Sequence, residues 1–424
     1  MGEISEKSLK RSQIMYICEA GLEYLISILV AGSFLATLTS QLGFSDTLTG
    51  ILSSIISLGC VFQMLSVFIR RSHMKRLVIL LSILNQLLFM SLYVIPVIDI
   101  PTKLKAPLFV VFILVAYLLY NIAHPKKINW LMSLIPDRER GVFTAKKQII
   151  SLIAGMLFTY GMGALIDFFA ERDEYHTAFT VVALVVFVLM ALHTTTMVLA
   201  VEPEPPAIPY KKMSSIIKSV LGNKNVLHVT IVFVLYYVSN YLATPFYGTY
   251  LIGELSMNLK TVSGLTILSS IVRIAAEMRW GRYADKTSFG NMIQKCFMVL
   301  AAAQLCVAFA TPKTGLVAFI LYYALHGISM GGISSALINL IYDYVDLDKR
   351  ADSLAICQAA SGVAGFLTTL AVSPFVTYMQ NRGNSIFGIT LYAQQIMSFA
   401  SCLIVLACAL YVRKTLSHKK EVSD

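Results

Sequence analysis

Apolar stretches of about 20 residues recur from one end of this chain to the other, and no single motif restricts its fold as much. A run of that length matches the hydrocarbon core of a bilayer. Inside that core each backbone amide must find its partner within the protein, which makes helices the natural solution for such runs. Twelve spans are expected, at residues 15–41, 48–69, 77–97, 107–124, 146–168, 177–200, 227–252, 261–280, 291–310, 315–341, 353–378 and 387–411. Composition agrees: of 424 residues 57% are hydrophobic and only 13% charged, against about 25% charged in a soluble chain. The expected class is an all-α polytopic membrane protein.

One long polar connection divides the spans. It runs from Val201 to Asn225 and opens with Glu-Pro-Glu-Pro-Pro, which cannot continue a helix. The expected organisation is therefore a bundle over residues 1–200, a cytoplasmic linker over 201–225 and a second bundle over 226–424. Basic residues are retained on the cytoplasmic side. They crowd alternate loops, at Arg70, Arg71, Lys75 and Arg76, at Lys126, Lys127, Arg138 and Arg140, and at Lys211, Lys212 and Lys218. That pattern places both termini in the cytoplasm and the chain in the cytoplasmic membrane. The net charge of +11 is then a topological signal directed at anionic headgroups, and nucleic acid is not an expected partner. The first apolar stretch is too long for a cleaved signal peptide and should stay as an anchor. The seven cysteines fall in or beside spans without CxxC spacing, so no disulfide framework, metal site or cofactor is expected.

An internal repeat links the halves. Displacing the chain by 210 positions (339 − 129) superimposes Asn129 on Asn339, Arg140 on Arg350, Ala145 on Ala355 and Gln148 on Gln358. It also superimposes Ser151 on Ser361, Ala154 on Ala364, Gly155 on Gly365, Leu157 on Leu367 and Thr159 on Thr369. Several of these identities are polar, beyond what shared hydrophobicity explains. Spans five and eleven are thus equivalent, with Gln148 and Gln358 on matching polar faces.

Polar residues inside the spans fall on helical faces. Glu19, Glu23 and Ser27 recur every fourth residue on span one; Tyr117, Tyr120, Asn121 and His124 share a face of span four. Tyr237, Asn240 and Tyr241 do the same on span seven, Arg273 and Glu277 on span eight, Tyr322 and His326 on span ten. A carboxylate at bilayer depth costs about 2.5–3.5 kcal/mol on insertion scales. Glu19 and Glu23 therefore point to one of three uses: coupling to a proton or cation, direct contact with substrate, or structural pairing with Arg273 or a neighbouring span.

After span eight comes Gly281-Arg-Tyr-Ala-Asp285-Lys286, which resembles the G-x-x-x-D-R/K loop signature of the major facilitator superfamily. The resemblance takes in the span count, the central linker and this signature, and so nearly the whole chain. It implies twelve transmembrane helices in two six-helix bundles related by pseudo-twofold symmetry, with spans one, four, seven and ten around a central path. It further implies a monomeric secondary transporter that moves a small-molecule substrate by alternating access with a proton or another cation, and a cytoplasmic gate at Asp285 and Arg350. The first half departs from the signature: Arg70-Arg71-Ser72-His73-Met74-Lys75-Arg76 has neither Gly nor Asp. Span four lacks the arginine, and span five the Gly-Pro pair, of many proton-coupled drug exporters. A proton-coupled multidrug or cation exporter and a transporter-like sensor are the alternatives. An enzyme is not expected: there is no HExxH or P-loop, and the G-x-S-x-G at Gly327-Ile-Ser-Met-Gly331 lies within a span, where the glycines suit close helix packing.

Overall fold

The structure, a computed structural model, describes residues 6–62, 74–136, 140–202, 224–345, 350–386 and 388–416. Its helices are α1 (Glu6–Leu29), α2 (Gly32–Gln41), α3 (Asp46–Phe62), α4 (Met74–Val94), α5 (Thr102–Met132), α6 (Arg140–Ala170), α7 (Tyr175–Leu199), α8 (Lys224–Ala243), α9 (Leu259–Lys286), α10 (Phe289–Ala308), α11 (Gly315–Tyr344), α12 (Arg350–Asn381) and α13 (Ala393–Thr415). Among the described residues ten helices are long and apolar enough to cross a membrane, and α1 with α2 makes an eleventh span bent by 42°. A shorter apolar helix, Asp46–Gly59 within α3, stands where the second span is expected. Leu157, Phe309 and Met278 are 73%, 69% and 66% exposed, an outer surface that only lipid would cover.

Breaks in the helices follow the sequence. At the α1–α2 junction Gly32 sits at φ +53°, a left-handed conformation open to glycine at little cost, and the Tyr93 hydroxyl takes up the carbonyl of Leu29. After α8, Pro245 cannot donate an amide to the ladder. The span continues as a 3-10 turn (Thr244–Phe246), one α turn and a π turn (Tyr250–Glu254).

Two expected boundaries shift. Span four does not stop at residue 124, since α5 continues through Pro125 to Met132. Span twelve does not begin at 387. A two-stranded ribbon, β1 (Ser385–Ile386) with β2 (Ile389–Thr390), turns at Gly388, whose φ is +79°, and α13 starts only at Ala393.

The described chain forms two compact units. The first comprises Met1–Phe44, Phe62–Ile208 and Asn258–Ser263; the second comprises Ser45–Val61, Pro209–Met257 and Gly264–Asp424. In the first, α1 packs on α6 and α7, and α4 on α5 and α7. The opening residues of α9 belong to it because Asp167 of α6 caps them: its carboxylate accepts from the backbone amides of Leu259 at 3.1 Å and Lys260 at 2.6 Å. In the second, α8 packs on α12 and α13, and α10 on α11 and α13. Their core holds Phe233, Phe297, Leu340 and Cys408. The start of α3 belongs to this unit, with Asp46 accepting from Gln380 Nε2 at 2.7 Å.

The repeat is visible in matching contacts. A side chain at Gly155 would collide with the Tyr24 ring of α1, and one at Gly365 would lie 2.8 Å from the Tyr241 ring of α8. In each unit the equivalent glycine lets the equivalent helix pair meet over a tyrosine. Gly327 and Gly331 do the same for α11 against α9. A Cβ at Gly327 would strike the Ser269 carbonyl, and one at Gly331 would stand 2.9 Å from that of Arg273. Ser329 between them is fully buried and donates to the His326 carbonyl. The G-x-S-x-G pattern is therefore a packing seam and does not present a nucleophile.

Candidate functional site

The spacing of Glu19 and Glu23, one turn apart, puts both carboxylates of α1 on the face turned toward α5, α6 and α7. There the structure supplies a partner that the sequence reading placed in a loop. Lys127 lies inside α5, its side chain 2% exposed, with Nζ 2.6 Å from Glu19 Oε1. The same ammonium is hydrogen-bonded to Glu23 Oε2. Assigning Lys127 to a cytoplasmic loop was wrong because two carboxylates offset the cost of burying its charge, and a basic residue next to Pro-Lys cannot reveal that alone. Isolated charges inside a membrane are costly, so they pair.

The network extends past the ion pair. His193, on α7 and fully buried, places Nε2 3.1 Å from Glu19 Oε1. Its Nδ1 lies 3.0 Å from Gln86 Nε2 of α4. An amide nitrogen can only donate, so with the amide in this orientation Nδ1 is the accepting nitrogen and Nε2 is the one directed at Glu19. The other end of the Gln86 amide, Oε1, is buried without a partner. Turning that amide over would present an acceptor to a protonated Nδ1. The chain of contacts therefore runs Gln86, His193, Glu19, Lys127, Glu23 across four helices, and two carboxylates face one ammonium and one imidazole. Lys147 of α6 stands nearby, over the Tyr16 ring at 4.7 Å.

Exposure separates the two acids. Glu19 is sealed at 2%, whereas the Glu23 side chain is 19% exposed. Glu19, Glu23 and His193 could also form a three-ligand cation site, all their ligand atoms lying within 4.8 Å of one another. Lys127 already fills that position with its own charge.

The remaining expected residues are distributed as follows. In the first unit Ser27 donates to the Tyr24 carbonyl, and Asn121 to that of Tyr117. Tyr117 is buried against Phe89, and Tyr120 lies over His124 with centroids 5.0 Å apart. His124 Nδ1 is buried without a partner. Gln148 is exposed on α6. In the second unit Tyr237 and Tyr241 stack at 5.7 Å, and Asn240 Oδ1 accepts from Thr244. Tyr322 stacks on His326 at 5.3 Å, and Gln358 is half-buried on α12. Arg273 donates through Nη2 to Ser334 at 3.3 Å, while its Nε is buried without a partner. Glu277 is exposed, and among the described residues it makes no ion pair with Arg273. The acids of α1 pair with Lys127 and not with Arg273. The side chains of Asp285 and Arg350, the expected gate, lie outside the described ones.

Lys127, His193 and Gln86 were missed as site residues. His193 carried one signal, being the single titratable group of an otherwise apolar span.

The chain matches the family model described as Major Facilitator Superfamily over residues 17–369. It belongs to that superfamily. Solved structures of superfamily type resemble it along nearly their whole length. The nucleoside transporter NupG, in a mutant form, is similar with a TM-score of 0.75 at 11% identity, covering 96% of this chain and 100% of that one. A D-xylose–proton symporter gives 0.69 at 14% identity, covering 96% and 98%. The POT family transporter PepTSo gives 0.71 at 11%, covering 97% and 98%. No curated protein matches by sequence. Likenesses at such identities establish the superfamily fold and leave the substrate open.

Proposed function

We propose that this superfamily member is a secondary active transporter of a small, neutral, polar solute, coupled to protons through the network of Glu19, Glu23, Lys127 and His193. It would work by alternating access across the cytoplasmic membrane, with both termini inside and the two six-helix halves, residues 1–200 and 226–424, as its moving parts. The observation that carries this reading is the charge balance of the network. With the His193 imidazole uncharged, two carboxylates against one ammonium leave one negative charge at membrane depth, and one proton removes it. Such a deficit is expensive where water is scarce, and a proton is one way to remove it. Glu23, the partly exposed member, is the entry point. Once it is neutral its hold on Lys127 weakens, and that local change is of the kind that biases a two-state element. The Gln86 amide provides a second resting place by accepting from a protonated His193.

Lys127 also argues about substrate. Its ammonium occupies the space between the carboxylates where a cationic drug or amine would bind, which weighs against the cation-exporter alternative. The expected set in the second unit carries Arg273 and the exposed Glu277 as its charged members, and its Tyr237–Tyr241 and Tyr322–His326 stacks offer flat aromatic faces, and Asn240 an amide. Within the second unit Arg273 Nε, buried without a partner, is suited to a hydroxyl or carbonyl of a sugar-like or nucleoside-like solute. Nucleoside and xylose carriers among the structural relatives support that class.

The test is a thermal-shift screen of the purified protein against nucleosides, pentoses, dipeptides and quaternary amines, followed by uptake of the stabilising compound into proteoliposomes. The expected result is stabilisation by neutral polar solutes and uptake driven by an inward proton gradient. Stabilisation by quaternary amines alone would select the exporter. Binding without counterflow would select a sensor.

A further inference from the structure

A second feature lies in the second unit, away from the Arg273 face of α9. Val272, Ala275, Ala276, Arg279, Trp280 and Tyr283 recur at intervals of three and four and therefore share one face of that helix. They open onto a cavity of about 640 Å³, closed by Lys295 of α10 and Ile328 of α11. Its walls are apolar apart from two cations. Trp280 is held by a hydrogen bond from its indole nitrogen to the Ile328 carbonyl at 2.8 Å, and Lys295 Nζ rests 4.5 Å above the Tyr283 ring. Arg279 and Lys295 are exposed, and among the described residues neither has a carboxylate within ion-pair distance. Glu277 falls on a different face of α9.

Each part has a chemical meaning at this position. Arg279 lies two turns before the end of α9 and Lys295 two turns after the start of α10, so both reach the same leaflet boundary, where long basic side chains extend toward headgroups. Tryptophan and tyrosine are the residues of that boundary. An apolar groove just below two unpaired cations matches an amphiphile with a negatively charged head. Basic pockets between transmembrane helices hold anionic headgroups by this arrangement, and the volume lies in the usual range for small-ligand sites, about 300–1,000 Å³.

We propose that the groove between α9, α10 and α11 is a binding site for an anionic phospholipid, with an acyl chain along Ile271, Ala275 and Ile328 and the phosphate between Arg279 and Lys295. A zwitterionic lipid fits less well, because its own ammonium would face two cations with no carboxylate among the described residues to receive it. The site depends on the membrane placement of the chain and not on what the transporter carries.

Native mass spectrometry of the purified full-length protein tests this, titrating phosphatidylglycerol against phosphatidylcholine of identical chains. Wild type should prefer phosphatidylglycerol roughly thirtyfold, the effect expected of two basic residues at a headgroup. The pair Arg279→Gln and Lys295→Gln should bring that preference to within about twofold. Ala275→Trp leaves both cations in place but fills the groove, and should reduce retention of either lipid. Thermal unfolding of each variant in detergent without lipid identifies misfolding; were Ala275→Trp misfolded, Ala275→Leu would replace it. Equal binding of the two lipids by wild type, or a preference that survives the double substitution, would overturn the proposal. So would displacement of phosphatidylglycerol by inorganic phosphate alone, which would make this a plain anion site.

Discussion

The two halves of the repeat handle polarity in opposite ways at equivalent places. The displacement that aligns Asn129 with Asn339 sets Leu337 where the first half has Lys127 (337 − 127 = 210). Leu337 is buried among the apolar core of its unit, whereas Lys127 is buried between two carboxylates. The packing that positions them is shared, with Gly155 against Tyr24 and Gly365 against Tyr241. One scaffold thus holds a charged, titratable cluster in one copy and aromatic, neutral surfaces in the other. The contrast teaches that charged and apolar side chains can be divided between copies of a duplicated fold, since the backbone contacts tolerate either content.

That comparison can be broken in several ways. The largest effect is expected from Lys127→Met, which leaves two carboxylates buried together and should cost about 3–5 kcal/mol of stability, measured as thermal unfolding in detergent and accompanied by loss of transport. A wild-type melting temperature would mean that Lys127 is not the buried counter-ion. Leu337→Lys should be damaging for the converse reason, a buried ammonium without acids, and a second substitution Tyr236→Glu on α8 would probe whether a partner can be supplied. Gly155→Leu and Gly365→Leu come next. Each forces a side chain into a tyrosine ring, at about 1–3 kcal/mol. Similar losses would support equivalence of the two contacts, and a loss at only one would break the repeat as a structural statement. The smallest effect belongs to Asp167→Ala, which removes a helix cap supplied from another helix and should lower stability by about 1 kcal/mol. No change in unfolding would show that the amides of Leu259 and Lys260 find other partners.

Much of this was legible beforehand. Apolar length gave the spans, the 210-residue displacement gave the equivalence of α6 and α12, and the Gly327 to Gly331 spacing pointed to close helix packing, whose partner α9 is shown only by the structure. The site was legible only by half. Glu19 and Glu23 stand out because acids are rare in apolar runs, but their partner is distant in sequence and sits beside Pro125 and Lys126, where the local pattern reads as a loop end. Proline at that point does not end α5, because tertiary packing outweighs the lost hydrogen bond. His193 and Gln86 gave weaker signals still: each is a polar residue inside a mostly apolar helix, and only the fold shows that His193 reaches Glu19 and Gln86 reaches His193.

The central claim is that the single negative charge of the α1–α5 cluster is what a proton neutralises during transport. Glu23→Gln tests it most directly, because it installs the neutral form permanently while keeping a hydrogen-bonding side chain beside Lys127. In proteoliposomes the account predicts that this variant melts no lower than wild type, exchanges solute across the membrane in counterflow, and no longer accumulates solute under an imposed proton gradient. Accumulation at wild-type level with an unchanged pH profile would contradict it.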